Sequence, residues 1–159
     1  MVKIRKATVS DMPSVLDLIV ELAVFEKEPK AVEVTVDDLV TDGFGKNPLF
    51  NVIVAENNTE IIGMALFYNR YSTWKGKSVH LEDLIVKEAY RGTGAGYKLY
   101  KEVIKTAFES GVKRVEWVVL DWNTKAVDFY KKSGADVLSE WNTVHMNKEQ
   151  MRAFLQNNN

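Results

Sequence analysis

The fold is decided by residues 84–96, which read LIVKEAYRGTGAG in one-letter code. Three apolar residues at the start predict the end of a buried strand, and the glycines at the end open an amphipathic helix. Glycine lets a backbone approach a ligand closely, and the first N–H groups of a helix have no partners within the helix. The stretch therefore predicts a strand-to-helix turn that can bind an anion such as phosphate, with Arg91 at its mouth.

Two common nucleotide-binding motifs fit this turn badly. A Walker loop requires Lys-Ser or Lys-Thr directly after its last glycine, whereas Gly96 is followed by Tyr97 and Lys98. A dinucleotide fingerprint requires Gly-x-Gly-x-x-Gly, whereas these glycines fall at positions 92, 94 and 96. From the residues alone, a glycine-rich turn without any ligand remains an equal alternative to an anion site.

Outward from this turn, the hydrophobic pattern alternates between strand and helix periods. A short strand begins at Val2. A helix capped by Ser10 runs to about Phe25, and Thr35 caps a second helix. The pattern further predicts strands over residues 51–55, 60–71, 77–86 and 115–120, a helix after Gly96, a helix over 124–133, and a final strand or pair over 137–146. This order predicts a mixed α/β fold with an antiparallel meander.

Length and composition indicate one globular domain over residues 1–159, with 46% apolar and 27% charged residues. The charges nearly cancel, with 21 Lys and Arg against 22 Asp and Glu, so we expect neither nucleic acid nor an anionic membrane as a partner. The charged amino terminus is unlike a secretory signal, and no apolar run approaches the ~20 residues of a membrane span. We therefore expect a cytoplasmic protein.

The residue types present restrict the chemistry that the chain can perform. It contains no cysteine, which excludes disulfides, cysteine zinc ligands and cysteine nucleophiles. The two histidines, His80 and His145, supply a metal site poorly, so we predict no metal and interpret both as ordinary strand residues. Catalysis then falls to carboxylates, tyrosine and backbone amides, if the chain is an enzyme.

Several segments resemble one known family. Residues 91–96, RGTGAG, resemble the pyrophosphate loop of the GCN5-related N-acetyltransferases (GNAT), Arg/Gln-x-x-Gly-x-Gly/Ala, which cradles coenzyme A. Segments 42–45, 71–76, 81–83, 119–123 and 129–135 resemble its spermidine/spermine (diamine) acetyltransferase subfamily, and 71–76 with 120–123 most resemble the thialysine N-ε-acetyltransferase branch. The resemblance covers nearly the whole chain and becomes loose after Asp136. It implies a GNAT acyl-CoA N-acyltransferase fold with a mostly antiparallel twisted sheet, acetyl-CoA as cosubstrate, a small primary amine as acceptor, and a homodimer.

The resemblance implies that Glu82 is the base that deprotonates the acceptor. An alkyl amine with a pKa near 10.4 lies ~3 units above neutral pH, so removing its proton costs about 4–5 kcal/mol. A nearby carboxylate can accept that proton, through water if necessary. Strand alternation places Glu82 on the face of His80 and Leu84, unless a bulge re-aims it. From the residues alone, Glu82 would be a solvated strand carboxylate, and Asp83 is expected to be structural.

The resemblance also implies that Tyr130 donates a proton to the departing thiolate. A phenol pKa near 10 lies above the ~8.5 of a thiol, so this transfer is uphill by about 2 kcal/mol unless the site adjusts either group. Without the family, a tyrosine on an amphipathic helix is usually at the edge of a core. Because the chain has no cysteine nucleophile, we expect direct transfer in a ternary complex.

The implied coenzyme site combines the strand before the glycine turn, the turn itself and the helix after residue 123. Asn123 can equally cap that helix, and its lysines can equally keep it soluble. The residues implied to bind the coenzyme are Leu84, Ile85, Val86, Arg91, Gly92, Thr93, Gly94, Ala95, Gly96, Tyr97, Asn123, Lys125, Ala126, Tyr130 and Lys132.

The implied acceptor site consists of Phe25, Glu26, Trp74, Glu82, Glu116, Trp117 and Val118. Polyamine-specific members of the family have Asp-Pro-Trp where this chain has Ser72-Thr73-Trp74. The loss of a carboxylate weakens attraction for a long polycation, so we expect a thialysine-like amino acid or a small diamine as acceptor. The alternatives are a non-catalytic acyl-CoA-binding module and an acetyltransferase that acts on a protein or on an unrelated small amine.

Overall fold

The computed structural model describes residues 1–156, which form a five-stranded sheet with flanking helices. The strands are β1 (Lys3–Lys6), β2 (Asn51–Asn57), β3 (Glu60–Ser72), β4 (Gly76–Val86) and β5 (Val115–Glu116). The helices are α1 (Met12–Phe25), α2 (Val36–Phe44), α3 (Ala95–Glu109), α4 (Thr124–Lys132) and α5 (Lys148–Gln156), with short 3-10 turns at Val9–Asp11 and Glu88–Tyr90. The first four strands pair antiparallel in chain order, and β5 pairs parallel with β4. The predicted α/β class with a mostly antiparallel sheet is confirmed.

The chain divides into two compact units, Met1–Val118 and Val119–Asn159. The first unit contains the whole sheet with α1, α2 and α3. The second contains α4 and α5. A single domain over residues 1–159 stays a prediction.

One face of the sheet packs against α1 and α2. Helix α1 buries Met12, Val15 and Leu18. Because these residues are three apart, they lie on one side of the helix. In β2, Val52 and Val54 lie two residues apart and therefore point to the same face of the sheet. These residues join one core cluster with Leu39, Ile61, Met64, Leu66 and Ile85. Each such side chain contributes roughly 1.5–3 kcal/mol when fully buried.

Helix α3 positions the glycine turn. The predicted spacing of four residues is confirmed, because Ala95, Leu99, Val103 and Ala107 are all buried. Through this stripe α3 packs on β2, β3 and β4. The start of α3 is thereby held beside the end of β4, where the chain leaves the sheet.

The predicted cap at Ser10 is wrong. The chain enters α1 through the 3-10 turn, whose cap is Thr8, and Asp11 immediately precedes the helix. Asp11 fixes this geometry because it accepts the Thr8 backbone N–H at 2.7 Å and two hydrogen bonds from the Arg5 guanidinium, at 2.7 and 2.9 Å. The predicted cap Thr35 is confirmed, since its hydroxyl accepts the Asp38 N–H.

The strands predicted after α3 are mostly wrong. Of the predicted strand 115–120, β5 keeps only Val115–Glu116, which pair with Val79 and His80. Val118 is 68% exposed, so the apolar run leaves the sheet although its composition favours a buried strand. Residues 137–146 form no strand, because a β-rich sequence needs a partner strand to complete its backbone hydrogen bonds.

Candidate active site

The glycine turn has the backbone of an anion site. Gly92 and Gly94 adopt φ values of +80° and +82°, which L side chains rarely adopt, although a Cβ at either position would meet nothing within 4 Å. The requirement for glycine is therefore conformational and not steric. Gly94 precedes α3 and has no side chain to cap it, so the first N–H groups of the helix remain available to a ligand. These features fit the pyrophosphate that the resemblance implies.

The loop before the glycines is anchored to the start of β3. Glu60 accepts hydrogen bonds from Lys87 Nζ at 2.8 Å and from Tyr90 Oη at 2.7 Å. These two donors hold the pKa of the Glu60 carboxyl below its usual value. Thr93 adds a hydrogen bond from its hydroxyl to the Tyr90 carbonyl at 2.7 Å. The turn is therefore held in place independently of α3.

Arg91 joins the glycine turn to the end of α1. Its Nε donates to the Val86 carbonyl at 3.2 Å, and its guanidinium lies 5.2 Å from the centroid of the Phe25 ring. Its Nη2 is 3.9 Å from Glu21 Oε1, which also accepts the Glu88 N–H at 3.0 Å. The structure thus brings a predicted coenzyme residue, Arg91, against a predicted acceptor residue, Phe25.

The end of β4 lacks a partner strand on one side. Strand β5 pairs only with Val79 and His80, so within residues 1–156 no strand pairs with that side of Leu84, Ile85 and Val86. Their backbone groups on this side suit a ligand that lies along the strand, as pantetheine would. A Cβ at Gly96 would lie 3.6 Å from Val86 and 4.0 Å from Leu84, so the start of α3 faces the same segment.

Glu82 lies in a bulge of β4. Opposite it, Leu66 pairs with Asp83 and Phe67 pairs with Leu81, so Glu82 itself has no cross-strand partner. The side chain is 51% exposed. Its Oε2 accepts a hydrogen bond from Tyr68 Oη at 2.9 Å. Strand alternation alone would place Glu82 on the face of His80 and Leu84 unless a bulge intervened. The structure has this bulge at the predicted base.

Asp83 and Glu26 complete an acidic cluster with Glu82. Burial, followed by the negative charges of Glu82 and Glu26, raises the pKa of Asp83 to about 6. Burial also raises the pKa of Glu26, which follows the last residue of α1. The structural role expected for Asp83 stays a prediction, but this acidic cluster was not predicted from the sequence. A Glu-Asp pair at a bulge is the feature that could have indicated it.

The other predicted acceptor residues have different surroundings. Glu116 forms ion pairs with Arg70 and with Arg114, the latter at 2.8 Å, so its charge is compensated within the protein. Trp117 packs edge-to-face on Tyr100, with ring centroids 5.7 Å apart. Val118 is exposed.

Trp74 stands 78% exposed in the turn between β3 and β4. At ~3.3 Å per residue, the six residue-to-residue steps from Gly76 to Glu82 separate this turn from the predicted base by roughly 20 Å. Ser72 is buried and its hydroxyl accepts the N–H groups of Trp74 and Lys75, both at 3.2 Å. Within this chain, Trp74 therefore does not join the acidic cluster.

The second unit contains the predicted acid and the last coenzyme residues. Asn123 caps α4, because its Oδ1 accepts the Ala126 N–H at 3.4 Å. The Tyr130 ring is half-buried and packs edge-to-face on Phe129, with centroids 5.4 Å apart. Lys125 and Lys132 are exposed. The capping interpretation of Asn123 is confirmed, and the predicted coenzyme contacts of α4 stay predictions.

Residues 1–156 hold no group of three or more histidine or acidic side chains arranged to bind a metal ion. The same part of the chain contains no helix with the length and apolar content needed to cross a bilayer.

Comparison with known proteins defines the class. Residues 13–135 match the Acetyltransferase (GNAT) family, and the chain belongs to this family of acetyltransferase enzymes. It is 41% identical over 162 residues to the thialysine N-epsilon-acetyltransferase of Sus scrofa, covering 95% of both chains. It is 36% identical to the human spermidine/spermine N(1)-acetyltransferase-like protein 1, covering 94% of this chain and 23% of that protein.

A similar fold occurs in an integron cassette protein of V. cholerae, with a TM-score of 0.79, 22% identity and coverage of 98% of both chains. The predicted fold class and the predicted resemblance to the diamine acetyltransferases are both confirmed.

Proposed function

We propose that this enzyme transfers acetyl from acetyl-CoA to the terminal primary amine of a small thialysine-like amino acid or diamine. The acidic cluster of Glu26, Glu82 and Asp83 carries the proposal. It supplies negative charge for a cationic amine in the same unit as the glycine turn. The similarity to thialysine N-epsilon-acetyltransferases supports this choice of acceptor.

Acetyl-CoA, when bound, supplies the acetyl thioester that the amine attacks. The N–H groups at the start of α3 and the Arg91 charge would hold its pyrophosphate, and the unpaired edge of Leu84–Val86 would align its pantetheine. Asn123 and α4 contribute the remaining contacts that the family pattern implies. Both substrates are then held together for direct transfer, which requires no covalent acyl-enzyme.

Glu82 acts as the base, and Tyr130 acts as the acid. Glu82 accepts a proton from the acceptor ammonium, which leaves a lone pair on nitrogen for attack on the thioester carbonyl carbon. As the carbon–sulfur bond breaks, Tyr130 Oη gives its proton to the thiolate, and the nitrogen releases its second proton to water as the amide forms. The place of Tyr130 in the family segment 129–135 supports its role.

The acceptor is short because the negative charge is concentrated at one place. In the hairpin turn, the Ser72 hydroxyl is engaged by backbone N–H groups, and no carboxylate stands where polyamine-specific relatives have aspartate. A long polycation therefore lacks a second acidic anchor there.

We propose a homodimer as the working form, which a native mass of twice 18.1 kDa would support and a monomer mass would contradict.

Thiol release from acetyl-CoA tests this function with thialysine, lysine, a short diamine and spermidine as acceptors. We expect kcat/KM at least tenfold higher for thialysine or the short diamine than for spermidine. Acetyl-CoA binding without thiol release on any of these amines would contradict the proposal and favour a non-catalytic acyl-CoA-binding protein. Preference for spermidine would overturn only the proposed acceptor.

A further inference from the structure

Tyr68 and His80 meet at one oxygen of Glu82. They are directly opposed across β3 and β4, and their rings lie 5.2 Å apart at a 33° tilt. Tyr68 Oη donates to Glu82 Oε2 at 2.9 Å, and His80 Nε2 lies 3.6 Å from that same oxygen. The second distance is too long for a direct hydrogen bond but short enough for electrostatic attraction.

The buried nitrogen of His80 indicates which tautomer is present. Nδ1 is inaccessible to solvent and has no hydrogen-bond partner within residues 1–156. A buried N–H without an acceptor is expensive, so a neutral ring with its proton on Nε2 is the favourable form. In this form the Nε2–H dipole points toward the negative oxygen of Glu82. Nδ1 then carries a lone pair, which costs less to bury without a partner than an N–H group does.

The two oxygens of Glu82 therefore have different surroundings. Oε2 is held by Tyr68 and attracted by His80, whereas Oε1 accepts no hydrogen bond from any residue in the described chain. The bulge explains why such support is needed, because Glu82 has no cross-strand partner and its side chain is half exposed. Free rotation would otherwise spread the carboxylate over several rotamers.

We propose that Tyr68 and His80 are positioning residues that hold Glu82 by Oε2 and so present Oε1 as the proton acceptor. This inference rests on the proposed role of Glu82 as base. Neither Tyr68 nor His80 would touch a substrate. Both act through the carboxylate of Glu82. A base whose backbone lies in a bulge needs such side-chain contacts to fix its orientation.

Other charged groups surround the pair. Glu116 of β5 is in register with His80 and is paired with Arg70 of β3 and with Arg114. Asp83 follows Glu82 on β4, and Glu26 approaches Asp83 from the end of α1. The charge of Glu116 is already compensated by two arginines. His80 is therefore attracted to Glu82 and not to Glu116.

The kinetic test uses Tyr68→Phe, which removes the hydroxyl and keeps the ring against His80. We expect kcat/KM for the preferred amine to fall about tenfold at neutral pH, as for the loss of one hydrogen bond to a charged group. The loss should appear in kcat, because the carboxylate loses the donor that fixes its orientation, while the KM for the amine should change little. The KM for acetyl-CoA should not change. Tyr71→Phe, on the exposed end of the same strand, is the matched control.

The conservative rescue uses His80, since the Gln amide nitrogen can replace Nε2 as donor. His80→Leu should lower kcat/KM about threefold or more, whereas His80→Gln should restore most of the activity. Equal losses in the two variants would overturn the role of His80, and a wild-type kcat in Tyr68→Phe would overturn the role of Tyr68.

Nitrogen-detected NMR of the wild-type histidine rings gives a readout that needs neither variants nor turnover. Protonation of His80 at Nε2 supports the proposal, and protonation at Nδ1 overturns it. Suppose that the wild type acetylates amines and that Glu82→Gln does not. A kcat/KM of Tyr68→Phe equal to that of wild type would then overturn only the positioning role, and Glu82 would remain the base. If wild type is inert with every amine, the proposed function fails first and this inference fails with it.

Discussion

At the scale of the residue, two aspartates depart from their ordinary pKa in opposite directions. Burial and two neighbouring acids raise the pKa of Asp83 to about 6, whereas the Arg5 guanidinium lowers that of Asp11 to about 2. Both shifts link folding to pH, but with opposite signs. The charged form of Asp83 lowers the stability of the fold, whereas the charged form of Asp11 stabilises the entry to α1.

Replacement of Asp83 by Asn should stabilise the protein at neutral pH. Between pH 4 and 6 the unfolded chain releases the Asp83 proton before the folded chain does, so stability falls as pH rises through this window. With the folded pKa at about 6, the effect amounts to about 3 kcal/mol above pH 6. Urea unfolding at pH 7.5 should show Asp83→Asn more stable by about this amount, with little difference at pH 4. Equal differences at both pH values would contradict the linkage.

Replacement of Asp11 by Asn should have the reverse effect. Its folded pKa of about 2 is below the unfolded value, so its contribution is present above pH 4 and is lost as pH falls through 2. We expect a loss of about 2 kcal/mol in the free energy of unfolding at pH 7, disappearing near pH 2. Asp17→Asn, on the exposed side of α1, is the control and should unfold like wild type.

Replacement of Tyr130 by Phe should separate chemistry from binding. If the phenol protonates the leaving thiolate, kcat should fall about 100-fold, the low end of the range for general acid catalysis. The affinity for acetyl-CoA, measured by calorimetry, should stay within about twofold. An unchanged kcat would remove the assigned role, while a parallel loss of affinity would indicate that Tyr130 mainly binds the coenzyme.

At the scale of the element, the glycine turn ties backbone conformation to coenzyme binding. Gly94 and Gly111 flank opposite ends of α3, both have positive φ, and a Cβ at either position would meet nothing within 4 Å. Gly94→Ala and Gly111→Ala should therefore lose a similar amount of stability, about 1 kcal/mol. Calorimetric titration with acetyl-CoA should show weakened binding only for Gly94→Ala. Equal binding by both variants would contradict a phosphate site at the start of α3.

The elements also show how far the sequence could lead. The strands over 51–86 were predicted almost to the residue, because alternating apolar residues and clear turns define a meander locally. The strand predicted over 115–120 is present only at Val115–Glu116, and no strand forms over 137–146, because pairing depends on distant residues that composition does not reveal. Helix α5 is not predicted, although its start carries a capping box that the sequence shows. The Asn147 N–H donates to Gln150 Oε1 at 2.8 Å, and the Gln150 N–H donates to Asn147 Oδ1 at 2.9 Å.

The same distinction applies to the site. The glycine turn could be predicted because its chemistry lies in consecutive residues. Glu82 is indicated only by its place in a segment that resembles the family, since the residues alone favour a solvated strand carboxylate. The resemblance implies Glu26 as an acceptor residue, but only the structure shows that it approaches Asp83. Tyr68 and His80 reach Glu82 through the strand register and the bulge, which the sequence does not reveal. His80 was therefore interpreted as an ordinary strand residue.

At the scale of the whole molecule, the coenzyme should stabilise the fold by mass action. A ligand that binds only the folded chain adds about 2.7 kcal/mol when present at a hundred times its Kd. Thermal unfolding of the protein with acetyl-CoA should therefore show a rise in Tm that increases with concentration. The Gly94→Ala protein should show a smaller rise at the same concentration. No rise for wild type would mean that the folded chain does not bind acetyl-CoA.

The contact of Arg91 with Phe25 links the two regions that we propose for the two substrates. Arg91 belongs to the turn proposed for the coenzyme, and Phe25 ends the helix that precedes Glu26. If the pyrophosphate competes with the Phe25 ring for the guanidinium, the end of α1 gains freedom as the coenzyme binds. The dependence must be reciprocal, since any factor by which acetyl-CoA alters the affinity for the amine equals the factor by which the amine alters the affinity for acetyl-CoA. The Arg91–Phe25 contact is therefore the place in the fold where binding of one substrate would alter binding of the other.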